Sequence, residues 1–164
     1  MTFEEFVAAS GSRLLRLAYV LTNGDAQRAE DLLQTALTSA FRHWRRVAAA
    51  DSPEAYTRRV LVDAYVSERR RRSSSEYPVE AAPDGVGATD PAGGIADRAE
   101  VVALLARLAP RARAVLVLRF YGDLDDAAIA SELGIAASTV RATASRALAT
   151  LRSQPVGGRE ARDA

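Results

Sequence analysis

The sequence predicts an all-α protein of two small helical domains joined by a flexible linker, and three of its features carry that prediction. Apolar residues recur at intervals of three and four through most of the chain, the spacing that lines one side of a helix. No segment alternates apolar and polar residues as a half-buried strand does. Between the periodic blocks, Ser73 to Gly94 reads SSSEYPVEAAPDGVGATDPAGG, rich in Pro, Gly, Ser and Ala and without sustained periodicity. The partition that follows is residues 1–72 for the first domain, 73–95 for the linker, 96–152 for the second domain and 153–164 for a disordered tail. As a flexible coil the linker has a root-mean-square span of about 25 Å, and pulled straight it reaches about 70 Å.

In the first block, Thr2 and Glu5 make a capping-box pattern. They open a helix carrying Phe3, Phe6, Leu14, Leu17, Ala18 and Leu21, which Asn23-Gly24 stops. A second helix sets Ala29, Leu32, Leu33, Ala36, Leu37, Ala40, Phe41 and Trp44 on one buried stripe, Trp44 being assigned to the core. Its opposite face carries Glu30, Asp31, Gln34, Thr35 and Thr38. A third helix starts at Ser52-Pro53, a cap residue followed by proline at the first helical position. It continues through Tyr56, Val60, Ala64 and Tyr65 into Arg69 to Arg72, whose charge complements the helix dipole. By themselves, the polar face and the arginine run are ordinary solvated surface.

The second block holds four helices, at about Asp97 to Leu108, Pro110 to Tyr121, Asp125 to Leu133 and Ala137 to Arg152. The last two read as a helix-turn-helix. Small Ala130 stands where the helices approach closely, Gly134 where the turn needs positive φ, and Val140 where the second helix packs back. Ile129, Leu133 and Ile135 complete that small core, while Val140, Ala144, Ala147, Leu148 and Leu151 form the buried stripe of the second helix. Ser138, Thr139, Arg141, Ala142, Ser145 and Arg146 are left on accessible faces. Hydroxyls and backbone amides at a helix start hold phosphates, and arginines reach guanine edges or the backbone, so this helix suits the major groove of duplex DNA. A plain helical hairpin with a solvated basic face is the competing reading.

Composition narrows the functions open to such a chain. The formal net charge is +1, so any DNA contact comes from charge placed on particular helix faces. Every basic side chain except the single histidine, His43, is arginine, and arginine suits bidentate contacts to phosphate and guanine. Cysteine is absent, which excludes a disulfide framework and thiolate metal sites. His43 has no nucleophile or carboxylate at a catalytic spacing, and no Gly-rich phosphate loop occurs. No catalytic or metal site and no cofactor is therefore expected. The acidic start Met1-Thr2-Phe3-Glu4-Glu5 is unlike a secretory signal, and no apolar run approaches the roughly 20 residues needed to span a bilayer. The expected location is the cytoplasm.

From Phe3 to Arg152 the chain resembles the extracytoplasmic-function group of bacterial sigma-70-type factors, particularly actinobacterial members. Ala29-Glu30-Asp31-Leu32-Leu33-Gln34 is similar to the region 2.2 signature, Tyr56-Thr57-Arg58-Arg59-Val60 to Arg72 to regions 2.3 and 2.4, and Leu108-Ala109-Pro110-Arg111 to Leu151 to region 4.2. The resemblance implies that Glu30, Asp31 and Gln34 contact the β′ clamp helices of core RNA polymerase. The third helix would face the minus-ten promoter element through Tyr56, Arg58, Arg59, Asp63, Arg69, Arg70 and Arg71. The loop from Val47 to Ser52 would help capture a flipped base there. Ser138, Thr139, Arg141, Ser145 and Arg146 would read the minus-thirty-five element. The implied partners are core polymerase, also through its β flap, promoter DNA and an anti-sigma factor.

The chain departs from the family pattern at several positions. Asp63 stands where an asparagine is common and Ser67 where many members have an aspartate. An acid near phosphates is repelled, so either Asp63 accepts a hydrogen bond from a base amino group or the helix is set differently. Ala128 replaces a usual glutamate and Ala136 a usual serine, each removing a capping partner. Tyr56 is left open between core and base stacking, whereas aromatic residues at helical spacing such as Tyr65 are more often core. The leading function is a promoter-specificity subunit with no enzymatic activity. The alternative is a conventional helix-turn-helix regulator binding an operator as a dimer, with half-sites about one helical turn apart.

Overall fold

The computed structural model describes the backbone of residues 1–74 and 95–153, and all regular structure among these residues is helical. Helix α1 (Phe3–Leu21) opens with the expected capping box: Thr2 donates its N–H to Glu5 Oε2 at 2.8 Å, and Glu5 returns its own to Thr2 Oγ1 at 3.1 Å. The chain reverses through Asn23 and Gly24, at φ of 60° and 77°. Asp25 then accepts the Arg28 N–H at 3.1 Å and starts α2 (Ala26–Arg42).

The stripe expected to run unbroken to Trp44 is interrupted. Ala29, Leu32, Ala36 and Ala40 are buried, but the next residue, Phe41, lies about 100° further round the helix and is 60 % exposed. Helix α2 ends at Arg42, and Trp44 begins a separate short helix, α3 (Trp44–Ala48). Trp44 is therefore half-buried at the edge of the core rather than inside it. Its ring lies edge-on to Phe3, with centroids 5.3 Å apart, and against Phe6 at the same distance. Val47 takes the buried position, so the loop expected from Val47 to Ser52 begins inside α3.

Helix α4 (Pro53–Ser74) has the cap read from its sequence, Ser52 Oγ accepting the Ala55 N–H at 3.1 Å. It continues through Ser73 and Ser74, two residues beyond the expected start of the linker. The rest of the Ser73–Gly94 linker, and the tail beyond Ser153, lie outside the described residues. Leu61, Val62 and Tyr65 of α4 are wholly buried among α1, α2 and α6.

The second block comprises α5 (Ile95–Ala106), α6 (Pro110–Phe120), α7 (Asp126–Leu133) and α8 (Ala137–Ser153). Helix α5 begins and ends two residues earlier than its periodicity suggested, and Ser153, assigned to the tail, is still helical. The two blocks touch. Helix α6 packs on α1 and α4, and α7 packs on α4, so one apolar core runs from Phe6 and Leu61 through Val117 to Ala147. Arg113 of α6 is 2 % exposed within it, and its guanidinium donates to the carbonyls of Leu105 (2.8 Å), Ala106 (3.0 Å) and Leu108 (3.2 Å). These carbonyls are at and just beyond the C-terminus of α5, where a cation complements the helix dipole.

Candidate nucleic-acid and polymerase interface

Three helix faces present the residues singled out by the sequence. The first is the outer side of α2. With the buried alanines and Leu32 on one side, Glu30, Asp31 and Gln34 project together into solvent beside exposed Thr35 and Thr38. Asp31 is held by the Gln27 side-chain amide at 3.1 Å, and its backbone carbonyl accepts the Thr35 hydroxyl at 2.9 Å. Asp31, Gln34, Thr35, Thr38, Ser39, Arg42 and His43 line a shallow open depression. His43 directs Nδ1 to the Ser39 carbonyl at 3.0 Å, the local arrangement of a helix-end residue. The face is polar and exposed and is backed by the buried side of the same helix.

The second face belongs to α4. Arg59, Asp63, Ser67 and Arg71 are exposed and four residues apart, so they share one ridge along the helix. Tyr56 lies three residues before Arg59, beside the start of that ridge, and is half-buried. Tyr65 faces the other way and is core. The side chains of Arg69 and Arg70 lie outside the described residues, although the helix continues through both. Partial desolvation lifts the Asp63 carboxyl above its ordinary pKa, and the nearby Arg59 charge only partly offsets this. The N-terminal end of α4 is pinned to α1. Glu54 accepts from Arg13 Nη2 at 2.6 Å and from Ser10 Oγ at 3.0 Å, and the Arg13 bond is the main reason that its pKa is lowered.

Arg58 differs from its neighbours on α4. Its Nε donates to both carboxylate oxygens of Glu132 on α7, at 2.9 and 3.1 Å, and Nη2 adds a third bond to Oε1. The two side chains are 13 % and 9 % exposed. Reading the sequence did not find this pair. Its one local signal was that Glu132 stands three residues after Ile129, and so on the buried side of α7.

The third face is the helix-turn-helix. Asp125 caps α7 by accepting the Ala128 N–H at 2.8 Å, so α7 is capped despite the alanine at 128. Gly134 closes α7 at φ 64° and ψ 36°, the left-handed conformation, and hands the chain to α8 within three residues. On α8, Val140, Ala144 and Ala147 are buried, while Ser138, Thr139, Arg141, Ser145 and Arg146 are all exposed. Arg119 pairs with Asp126 beside this helix, and the two line an open depression with Arg141, Ser145 and Arg152; Arg141 lies 4.0 Å from the same carboxylate but keeps 62 % of its side chain in solvent. Such a helix, exposed along one polar and basic side, has the form that enters a major groove.

Models of known families match both blocks: sigma-70 region 2 over residues 6–75 and sigma-70 region 4 over residues 98–151. The RNA polymerase sigma-E factor of Streptomyces avermitilis is 38% identical over 154 residues, covering 94% of this chain and 85% of that protein. The sigma-E factor of Streptomyces coelicolor is 37% identical over 95% of this chain and 87% of its own. The ECF RNA polymerase sigma factor SigL of Mycobacterium tuberculosis is 32% identical over 85% of this chain and 80% of its own. Among solved structures, the sigma factor RpoE of Bartonella quintana, in complex with the anti-sigma factor NepR, superposes with a TM-score of 0.69. That match covers 92% of this chain and 94% of the other at 20% identity, a likeness of fold. The chain therefore belongs to the sigma-70 family as an extracytoplasmic-function sigma factor of actinobacterial type, a subunit that joins core RNA polymerase and directs it to promoter DNA.

Proposed function

We propose a division of labour between the blocks. Residues 1–72 hold the β′ clamp helices through Glu30, Asp31 and Gln34 and face the minus-ten element through Tyr56, Arg58, Arg59, Asp63, Arg69, Arg70 and Arg71. Residues 96–152 approach the β flap and read the minus-thirty-five element through Ser138, Thr139, Arg141, Ser145 and Arg146. The observation that carries this reading is the exposed side of α8, where Ser138, Thr139, Arg141, Ser145 and Arg146 stand with no apolar side chain larger than alanine among them, just after a left-handed glycine turn. The protein works without a catalytic step of its own. Binding energy between region 2 and exposed single-stranded bases favours the open duplex, so strand separation needs no nucleotide hydrolysis by this chain. Its place of action is the cytoplasm, at the nucleoid. An anti-sigma factor is a further partner, a proposal supported by the likeness to a sigma factor solved with one.

Run-off transcription with purified core polymerase on a genomic promoter library tests this function. Promoter-specific transcripts that depend on the protein are the expected result, and no transcript from any template would sink the proposal. Arg141→Ala tests the division of labour: promoter affinity of the holoenzyme should fall by about 1–3 kcal/mol, read by filter binding, while the affinity for core is unchanged. Loss of both together would indicate misfolding and remove the role given to Arg141.

A further inference from the structure

Beside the apolar packing of α6 on α1 and α4, three closer contacts between the two blocks stand out among the described residues, and one of them uses a residue assigned to promoter DNA. At one end, Arg113 Nη1 donates to the carbonyl of Leu21 at the end of α1, at 3.1 Å. Nearby, the backbone of Gly24 comes so close to α5 that a Cβ there would meet Val102 at 3.6 Å. At the other end, Arg58 is gripped by Glu132. The first two ties are made by groups with no part in the proposed DNA contacts. The third occupies a guanidinium on the promoter-facing helix with a carboxylate from the promoter-reading domain.

The chemistry of that grip resembles phosphate binding. A carboxylate accepting two N–H groups side by side offers a guanidinium the same planar pair of anionic oxygens that a phosphate offers. The closed arrangement is also incompatible with reading both promoter elements at once. Their names place them roughly 25 base pairs apart, about 85 Å of duplex, whereas α4 and α7 are in direct contact.

We infer that Arg58 and Glu132 form an intramolecular latch: in the free protein Glu132 stands in for a promoter phosphate on Arg58, holding region 4 against the DNA-facing helix of region 2. Opening parts the apolar packing of α6 on α1 and α4 and the Arg113 bond to Leu21, while the Arg113 guanidinium keeps three carbonyls within its own block. At the latch it trades a nearly buried ion pair for two solvated charges, which core polymerase and promoter DNA then engage. Removing one partner leaves the other charge buried and unpaired as long as the blocks stay closed, so the closed form is the one that suffers. That Arg58 is masked from DNA rests on the proposed function; the latch itself does not.

The test uses the full chain, whose lack of cysteine allows unique labelling at Ala8→Cys on α1 and Ala149→Cys on α8, both exposed positions. Spin-label distances in the free protein should be short and narrowly distributed. They should become long and broad with Glu132→Arg, and return to the short distance with Arg58→Glu and Glu132→Arg together. Unchanged distances in Glu132→Arg, or failure of the swapped pair to restore the short one, overturn the latch. A second arm measures binding of a single-stranded minus-ten oligonucleotide without core polymerase, where Glu132→Gln should bind about fivefold tighter as the competent fraction rises. Opening without any gain in binding upholds the latch and overturns the assignment of Arg58 to DNA.

Discussion

Asp63 sits on the exposed ridge of α4 between Arg59 and Ser67, an acid among groups assigned to a polyanion. Its folded pKa is raised, chiefly by desolvation. A carboxyl raised in this way binds its proton more readily in the native state, so its contribution to stability declines as pH rises through that value. Asp63→Asn is therefore expected to raise the urea midpoint at pH 7 and leave it unchanged at pH 3, where the acid is neutral. The same change should tighten promoter binding by the holoenzyme and steepen its logarithmic salt dependence by about one. Weaker binding would instead favour a hydrogen bond from a base amino group to Asp63. Glu54 has the opposite sign, because its bond to Arg13 lowers its folded pKa. Its contribution is present above the unfolded value of about 4.3 and is lost as pH falls through the folded one. Glu54→Gln should lower the urea midpoint slightly at pH 7 and progressively less as pH falls through the folded pKa, flattening the acid limb of the stability profile.

Among the elements, the helix-turn-helix was the most legible in sequence, because its determinants are local. Asp125, Gly134 and the apolar spacing of α8 act over a few residues, and each has the conformation its residue type demands. Gly134 has open space where a Cβ would go, so Gly134→Ala tests backbone conformation alone. At φ 64° the expected cost is about 1 kcal/mol in urea unfolding of the full chain. Ala136 precedes the first residue of α8 and its carbonyl accepts the Val140 N–H at 3.1 Å, which makes it the N-cap. Ala136→Ser supplies the missing hydroxyl acceptor and should stabilise by about 0.5–1 kcal/mol in the same measurement. The C-terminal end of α2 was less legible, since periodicity alone placed Phe41 and Trp44 on the buried side. The helix stops at Arg42, and α3 buries Val47 in their place.

At the scale of the whole molecule, Arg113 unites the end of α5, the start of α6 and the end of α1. Arg113→Leu removes the donor from several buried carbonyls at once and is expected to cost roughly 3 kcal/mol, or about 10 °C in thermal melting. A change under about 1 kcal/mol would mean that water satisfies those carbonyls as well as the arginine does. No sequence rule announces this residue, a buried charge immediately before the apolar run from Ala114 to Leu118. Nor does one announce the pair Arg58 and Glu132, 74 residues apart, or the bond from Arg113 to Leu21 across 92. The sequence by itself determined the helices, their caps, the positive-φ turn and the polar faces of α2 and α8, because these depend on neighbours within a turn or two of helix. Only the tertiary structure decided which charges are buried, which aromatic rings are exposed and how one block lies on the other. Those outcomes depend on docking between distant helices, and that docking leaves no period in the chain.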